Sequence, residues 1–239
     1  MKNTIKISVL LILFSMATGF SQDTNNFFTK ANAFFNTNVM NGKVAYKSIK
    51  ESPKELNNLV EQMKTIKVAK SDVATYQAFW INAYNISVIK NVVENYPLKS
   101  PLDKTGFFDK IKHTVAGKEL TLNDMEHKML RAVFPKEPRF HFVLVCAGLG
   151  CPPIINKAYM PSIIEDQLQM QTEIAINNPS FIMVNKNKVK LSQIFEWYKG
   201  DFTQDGTSLI DFVNLYRKDK IDAKAKVSFY AYDWTLNKQ

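Results

Sequence analysis

The residues in this chain with the clearest chemical potential lie between His141 and Cys151. The apolar run His141-Phe142-Val143-Leu144-Val145-Cys146 leads through Gly148-Leu149-Gly150 to Cys151-Pro152-Pro153. A cysteine beside a glycine turn offers the parts of a thiol nucleophile. Gly148 and Gly150 let the backbone approach a ligand and bare its amide hydrogens, which could stabilise an oxyanion. Pro152 suits the start of a short helical turn. That would set Cys151 at the amino end of the turn and favour thiolate over thiol. Two other readings stand beside this one. The four residues between Cys146 and Cys151 permit a disulfide, which an oxidising compartment would favour. Alternatively, both thiols are inert.

Further polar groups fall in stretches that read as core. Glu126 and His127 are adjacent on a helix, so their side chains point about 100° apart. Either Glu126 orients a histidine from another element, or His127 itself is the base, or the pair braces the helix. His113, His127 and His141 are spaced 14 residues apart, which matches no helical ligand spacing, and neither a metal nor a cofactor is expected. Asn82 and Asn85 stand three apart in the most apolar segment and share a helix face. A buried amide without a partner costs roughly 1–3 kcal/mol. This face is therefore expected to abut the His141 strand or the Cys151 turn, either as a brace or as the floor of a pocket. Trp80 and Tyr84 read first as core. Trp80 is also a candidate substrate-binding residue, with Asn82, Asn85, Gly148 and Gly150.

The elements that would hold these groups are legible as patterns. A helix is expected from Asp23 to about Asn41, and another from Ser52-Pro53-Lys54-Glu55, a capping-box start, to about Lys64. Ser71 to Asn95 is the strongest helix. It is apolar on nearly every face and so should be buried. Val115 to Leu120 reads as a hairpin turning at Ala116-Gly117. Thr121-Leu122-Asn123-Asp124 opens a helix to about Phe134. Phe140 to Cys146 reads as a central strand, which would put His141 and Cys146 on opposite sheet faces. A helix capped at Ser162, a hairpin around Asn185-Lys186-Asn187, a helix capped at Ser208 and a strand from Val227 to Tyr232 complete the order. The fold expected is α+β, with a buried central helix packed on a small, mostly antiparallel sheet and several peripheral helices.

Composition narrows the classes. With 46% hydrophobic and 12% aromatic residues, the chain is too apolar for a disordered protein. Two cysteines are too few for a disulfide scaffold or a tetrathiolate zinc site. Lys2 and Lys6, an apolar run from Ile7 to Met16, and small residues up to Ser21 have the layout of a signal peptide cleaved near Ser21-Gln22. The expected division is a signal peptide at 1–21, an N-terminal helical segment at 22–70 and one α+β domain at 71–239. The mature protein is expected to be secreted or periplasmic, with no transmembrane segment. Removing Lys2 and Lys6 lowers the net charge from +9 to +7. The remaining lysines are scattered, so no nucleic-acid partner is expected. The partner is an unknown substrate or an envelope component.

Several motifs in order carry a family resemblance. They are Ala78-Phe79-Trp80-Ile81-Asn82-Ala83-Tyr84-Asn85, Val115-Ala116-Gly117, Glu126-His127, Arg139-Phe140-His141-Phe142, Val145-Cys146, Cys151-Pro152-Pro153 and the closing Tyr232-Asp233-Trp234-Thr235-Leu236-Asn237. Together they resemble the "domain of unknown function 547" family, firmly from about Ser71 to Asp201. That family is expected to be similar to papain-like and transglutaminase-like thiol enzymes. The resemblance implies Cys151 as nucleophile, His141 or His127 as base and Glu126 as orienting acid. Papain-like chains place the cysteine before the histidine, whereas both candidate histidines here precede Cys151. The functional expectation is a cysteine-dependent hydrolase or acyl transferase acting on amide or thioester carbonyls. The alternative is a non-enzymatic envelope-binding module with a structural Cys146–Cys151 disulfide.

Overall fold

The computed structural model describes residues 23–239, so the expected signal peptide lies outside the described residues. The chain opens with helix α1 (23–38), then a short hairpin of β1 (Val39–Met40) and β2 (Lys43–Val44). The helix expected to reach Asn41 stops early because Asn41 and Gly42 both adopt positive φ. That is the two-residue hairpin turn that Asn-Gly favours. Helices α2 (Tyr46–Glu51) and α3 (Lys54–Thr65) follow. The capping box expected at Ser52 does not form: Pro53 occupies the cap position of α3 without a side-chain bond.

Helix α4 (Val73–Asn95) is the centre of the molecule. Its apolar residues point in every direction, and all sides are covered from Tyr76 to Ile89. The hairpin β3 (His113–Val115) and β4 (Lys118–Leu120) turns at Ala116-Gly117 as expected. Thr121 and Asp124 form the anticipated capping box at α5 (Leu122–Asp124). That helix runs on as a π-helical stretch, Met125–Arg131.

The central strand expected at Phe140–Cys146 does not exist. Residues Pro138–Phe142 form a 3-10 helix, and 143–146 continue without a strand partner. Buried backbone must still find hydrogen bonds. Here the Asn85 amide supplies them, donating to the Val143 carbonyl and accepting from Val145 N–H, both at 3.0 Å. A side chain of α4 thus replaces the neighbouring strand. With no pleat, the opposed orientation of His141 and Cys146 also lapses.

Helix α6 (Ile164–Asn177) lacks its expected Ser162 cap. Glu165 instead pairs with Arg139 at 2.6 Å. Strands β5 (Ile182–Asn185), β6 (Lys188–Ser192) and β7 (Lys226–Tyr230) form a mixed sheet, with β5–β6 antiparallel and β6–β7 parallel. Between β6 and β7 lie α7 (Ile194–Trp197), α8 (Lys199–Phe202) and α9 (Leu209–Tyr216), the last carrying the Ser208–Asp211 capping box. The fold is α+β: a buried central helix, peripheral helices and small, mostly antiparallel sheets.

Two apolar clusters fill the interior. One surrounds α4 and includes Phe79, Trp80, Phe140 and Val143. The other gathers Phe142, Phe195, Phe202 and Phe212. The stretch from Phe140 to Val143 feeds both, so it runs along their seam. The segment from Tyr232 to Asn237 closes the seam. Leu149 and Gly150 N–H donate to the Thr235 and Asp233 carbonyls at 2.8 and 2.7 Å. The Tyr46 hydroxyl donates to Asn237 Oδ1 at 2.7 Å. Among the described residues, no helix is long and apolar enough to cross a membrane.

Candidate active site

A cavity of about 400 Å³ opens on this seam. Its lining combines Glu126, His141, Cys146 and Cys151 with Tyr84, Trp197, Tyr198, Tyr232 and Trp234. Of the residues singled out by sequence, it therefore brings together one carboxylate, one imidazole and both sulfurs.

His141 is buried beside the first turn of α8. Its Nε2 lies 2.8 Å from Asp201 Oδ2. Arg131 grips the same carboxylate through Nε and the Nη2 amine at 2.7 and 2.9 Å. Tyr198 stacks on the imidazole at 4.1 Å between centroids, and the Arg131 guanidinium sits 4.8 Å from the centre of the same ring. Burial alone would raise the Asp201 pKa, but the hydrogen bonds from His141 and Arg131 outweigh it. They hold this carboxyl well below the usual range. The arrangement fixes the imidazole on a carboxylate that stays ionised. If Nε2–H donates to Asp201, the lone pair remains on Nδ1, the nitrogen left to act as a base.

Cys146 and Cys151 are bonded to each other, with Cα atoms 6.4 Å apart. Ala147, at φ 61°, turns the chain so that Cys151 returns to Cys146. The backbone N–H of Cys146 points to Cys151 Sγ at 3.0 Å. The Tyr232 hydroxyl meets Cys146 Sγ at 2.6 Å. The helical turn expected after Cys151 is absent; 151–153 is irregular. Each residue before a proline is steered away from helical geometry, and Pro152-Pro153 imposes that on Cys151 and Pro152 in succession.

The glycines of the turn serve the fold. The Gly150 amide is taken by the Asp233 carbonyl. A Cβ there would lie 2.8 Å from Asp233 N, and one on Gly148 would lie 3.0 Å from Asp233 O. Both positions admit the 232–236 segment at close range, a use of glycine other than ligand approach.

The remaining candidates divide. Glu126 is buried in the cavity wall, whereas His127 is exposed and accepts a hydrogen bond from Arg131 outside it. The π-helical stretch carries both, and adjacent positions still diverge. Asn82 is fully buried and bonds the Tyr159 backbone in both directions, at 2.7 and 3.0 Å. Asn85 holds the 143–145 backbone. The two amides are braces beneath the seam; only Asn85 meets the His141 stretch. Trp80 is buried against Tyr76 and Phe79, away from the cavity.

Sequence reasoning did not single out Asp201, Arg131, Tyr198 or Trp197. The signal for the last two was faint: an aromatic pair, Trp197-Tyr198, in the polar run Glu196 to Asp201. Asp201 had no local signal, because its partner His141 is 60 residues away.

No curated protein and no solved structure matches the chain. Residues 68–174 match the family model described as "Protein of unknown function, DUF547". The match takes in α4, Glu126, His141 and both cysteines, so the segment that supplies the cavity's sulfurs, imidazole and Glu126 carries the DUF547 family pattern.

Proposed function

We propose that this protein is a secreted or periplasmic cysteine-dependent hydrolase or acyl transferase that works in its dithiol form. One observation carries the reading: both cysteines and a histidine anchored on a carboxylate line a single cavity. The opening basic and apolar residues and the Cys146–Cys151 bond support an oxidising compartment.

In the dithiol form, His141 Nδ1 removes the Cys151 thiol proton. The Cys146 N–H directed at Cys151 Sγ stabilises the resulting thiolate, while Cys146 Sγ stays engaged by the Tyr232 hydroxyl. The sulfur attacks an amide or thioester carbonyl, and the imidazolium returns its proton to the departing amine or thiol. Water, or a second acceptor, then releases the acyl group from sulfur. Asp201 orients the imidazole and stabilises its charged form, the carboxylate's part in a triad. A dithiol reductant must first open the Cys146–Cys151 bond.

The test is labelling with iodoacetamide after mild reduction, alongside turnover of small thioesters and amides. Cys151 should label first, and Cys151→Ser should lower turnover by at least about 10³-fold. A Cys151 that stays unmodified in reduced, folded protein would sink the reading, as would unchanged turnover in Cys151→Ser.

The Cys146–Cys151 bond itself favours a second reading, a non-enzymatic envelope-binding module braced by that disulfide. Cys151→Ser that keeps all partner binding, with no turnover in either redox state, would support it.

A further inference from the structure

We infer that the cavity binds a small organic cation, an ammonium or alkylated ammonium group on a short apolar stem. Two independent features of the wall converge on this ligand class. The first is aromatic. Trp197, Tyr232 and Trp234 form one cluster, with centroids 5.1, 4.7 and 6.1 Å apart. Phe108 extends it at 6.0 Å from Trp234. Ring faces carry negative electrostatic potential, and Trp offers the strongest face, so grouped rings hold a quaternary or alkylated ammonium.

The second feature is charge. Glu126 is 8% exposed, and its Oε1 has no hydrogen-bond partner. Arg131 stands 3.8 Å from that oxygen, but its Nε and Nη2 donors are committed to Asp201. Glu126 and Asp201 set two carboxylates against the single guanidinium of Arg131. A buried carboxylate held only by this long ion pair and by the Tyr198 hydroxyl, with Oε1 itself accepting no hydrogen bond, is costly. A ligand cation seated between Glu126 and the rings supplies the missing charge. An anionic ligand would meet this surplus with the wrong sign.

The inference names a ligand class for the cavity used in the proposed reaction. It rests on that cavity being a binding site and not on the thiol chemistry. Choline and its neutral carbon analogue 3,3-dimethyl-1-butanol separate charge from shape. Both are titrated into the full protein, disulfide intact, and binding is read by calorimetry and by fluorescence of Trp197 and Trp234. Choline should bind at least tenfold more tightly than the alcohol. Glu126→Gln should remove that preference while leaving the alcohol's affinity unchanged, and Trp234→Ala should weaken choline. Equal binding of the two probes, or no binding of choline, overturns the inference without recourse to any variant. Choline bound normally by Cys151→Ser while turnover disappears keeps the two claims apart. Choline binding with no thiol turnover in the parent defeats the thiol reading alone, and turnover without choline binding defeats the cation site alone.

Discussion

The cavity has one wall from residues 84–151 and another from 194–234. The first carries Glu126, His141 and the two cysteines. Its irregular backbone is tied to α4 through Asn85, and the neighbouring 158–160 loop through Asn82. The second carries the ring cluster, of which Trp197 is 47% exposed. The first wall sits on backbone with its hydrogen bonds fixed, whereas the ring cluster joins a short helix, α7, to the irregular 232–234 stretch, with Trp197 at its exposed edge and Tyr232 buried. Asp201 breaks the division, since it belongs to the second stretch and closes on His141 of the first. The proposed catalytic pair therefore exists only when the seam is shut.

The sharpest challenge to this contrast is Asp201→Asn. The amide keeps the shape but no longer fixes the imidazole, and turnover should fall by about 10²–10⁴-fold. Turnover that falls less than tenfold would make the seam pairing merely structural. Stability supplies an independent check. The folded-state pKa of Asp201 is depressed, so its contribution is present above the unfolded value of about 4 and is lost as pH falls below it. Melting of the parent and of Asp201→Asn should differ at pH 7 and converge on acidification towards pH 2.

Asn85→Leu addresses the first wall. It strands the Val143 carbonyl and the Val145 N–H inside the protein and should cost about 3 kcal/mol in chemical denaturation. Replacing both cysteines by alanine should cost roughly 2 kcal/mol under oxidising conditions, given the short loop closed, and nothing comparable under reducing ones. Trp197→Ala, on the second wall, should change stability by less than about 1 kcal/mol. If it melts the protein as far as Asn85→Leu does, the walls are equally constrained and the contrast fails. The smallest effect belongs to His127→Ala. Its side chain is exposed outside the cavity, and turnover should stay within about twofold of the parent.

What could be read from sequence follows the range of the interactions involved. Helix α4, the Ala116-Gly117 hairpin and the caps at Thr121 and Ser208 are written in neighbouring residues, and each formed. Phe140–Cys146 looked like a strand because an apolar run of that length usually finds a strand partner. Its partners are instead the amide atoms of Asn85, about 60 residues earlier in the chain. Glu126, His141, Cys146 and Cys151 could be picked by residue type and surroundings. Arg131 and Asp201 could not, since charged residues on short helical stretches ordinarily face water. Gly148 and Gly150 were recognised as places of close approach, but the approaching group is the chain's own 232–236 segment.

That segment also sets an order in time. Synthesis presents Cys146 and Cys151 well before Tyr232 and Trp234, which wall the pair in. Seating Asn237 against Tyr46 closes a loop of 191 residues, and contacts of such separation are late events in folding. Before they form, the two sulfurs belong to an open chain that any thiol reagent or oxidant can reach. Afterwards the two cysteines are only partly exposed, in cavity walls that the fold has built around them. The interval between those conditions is a window for chemical maturation, and its length depends on how quickly residues 232–237 settle into place.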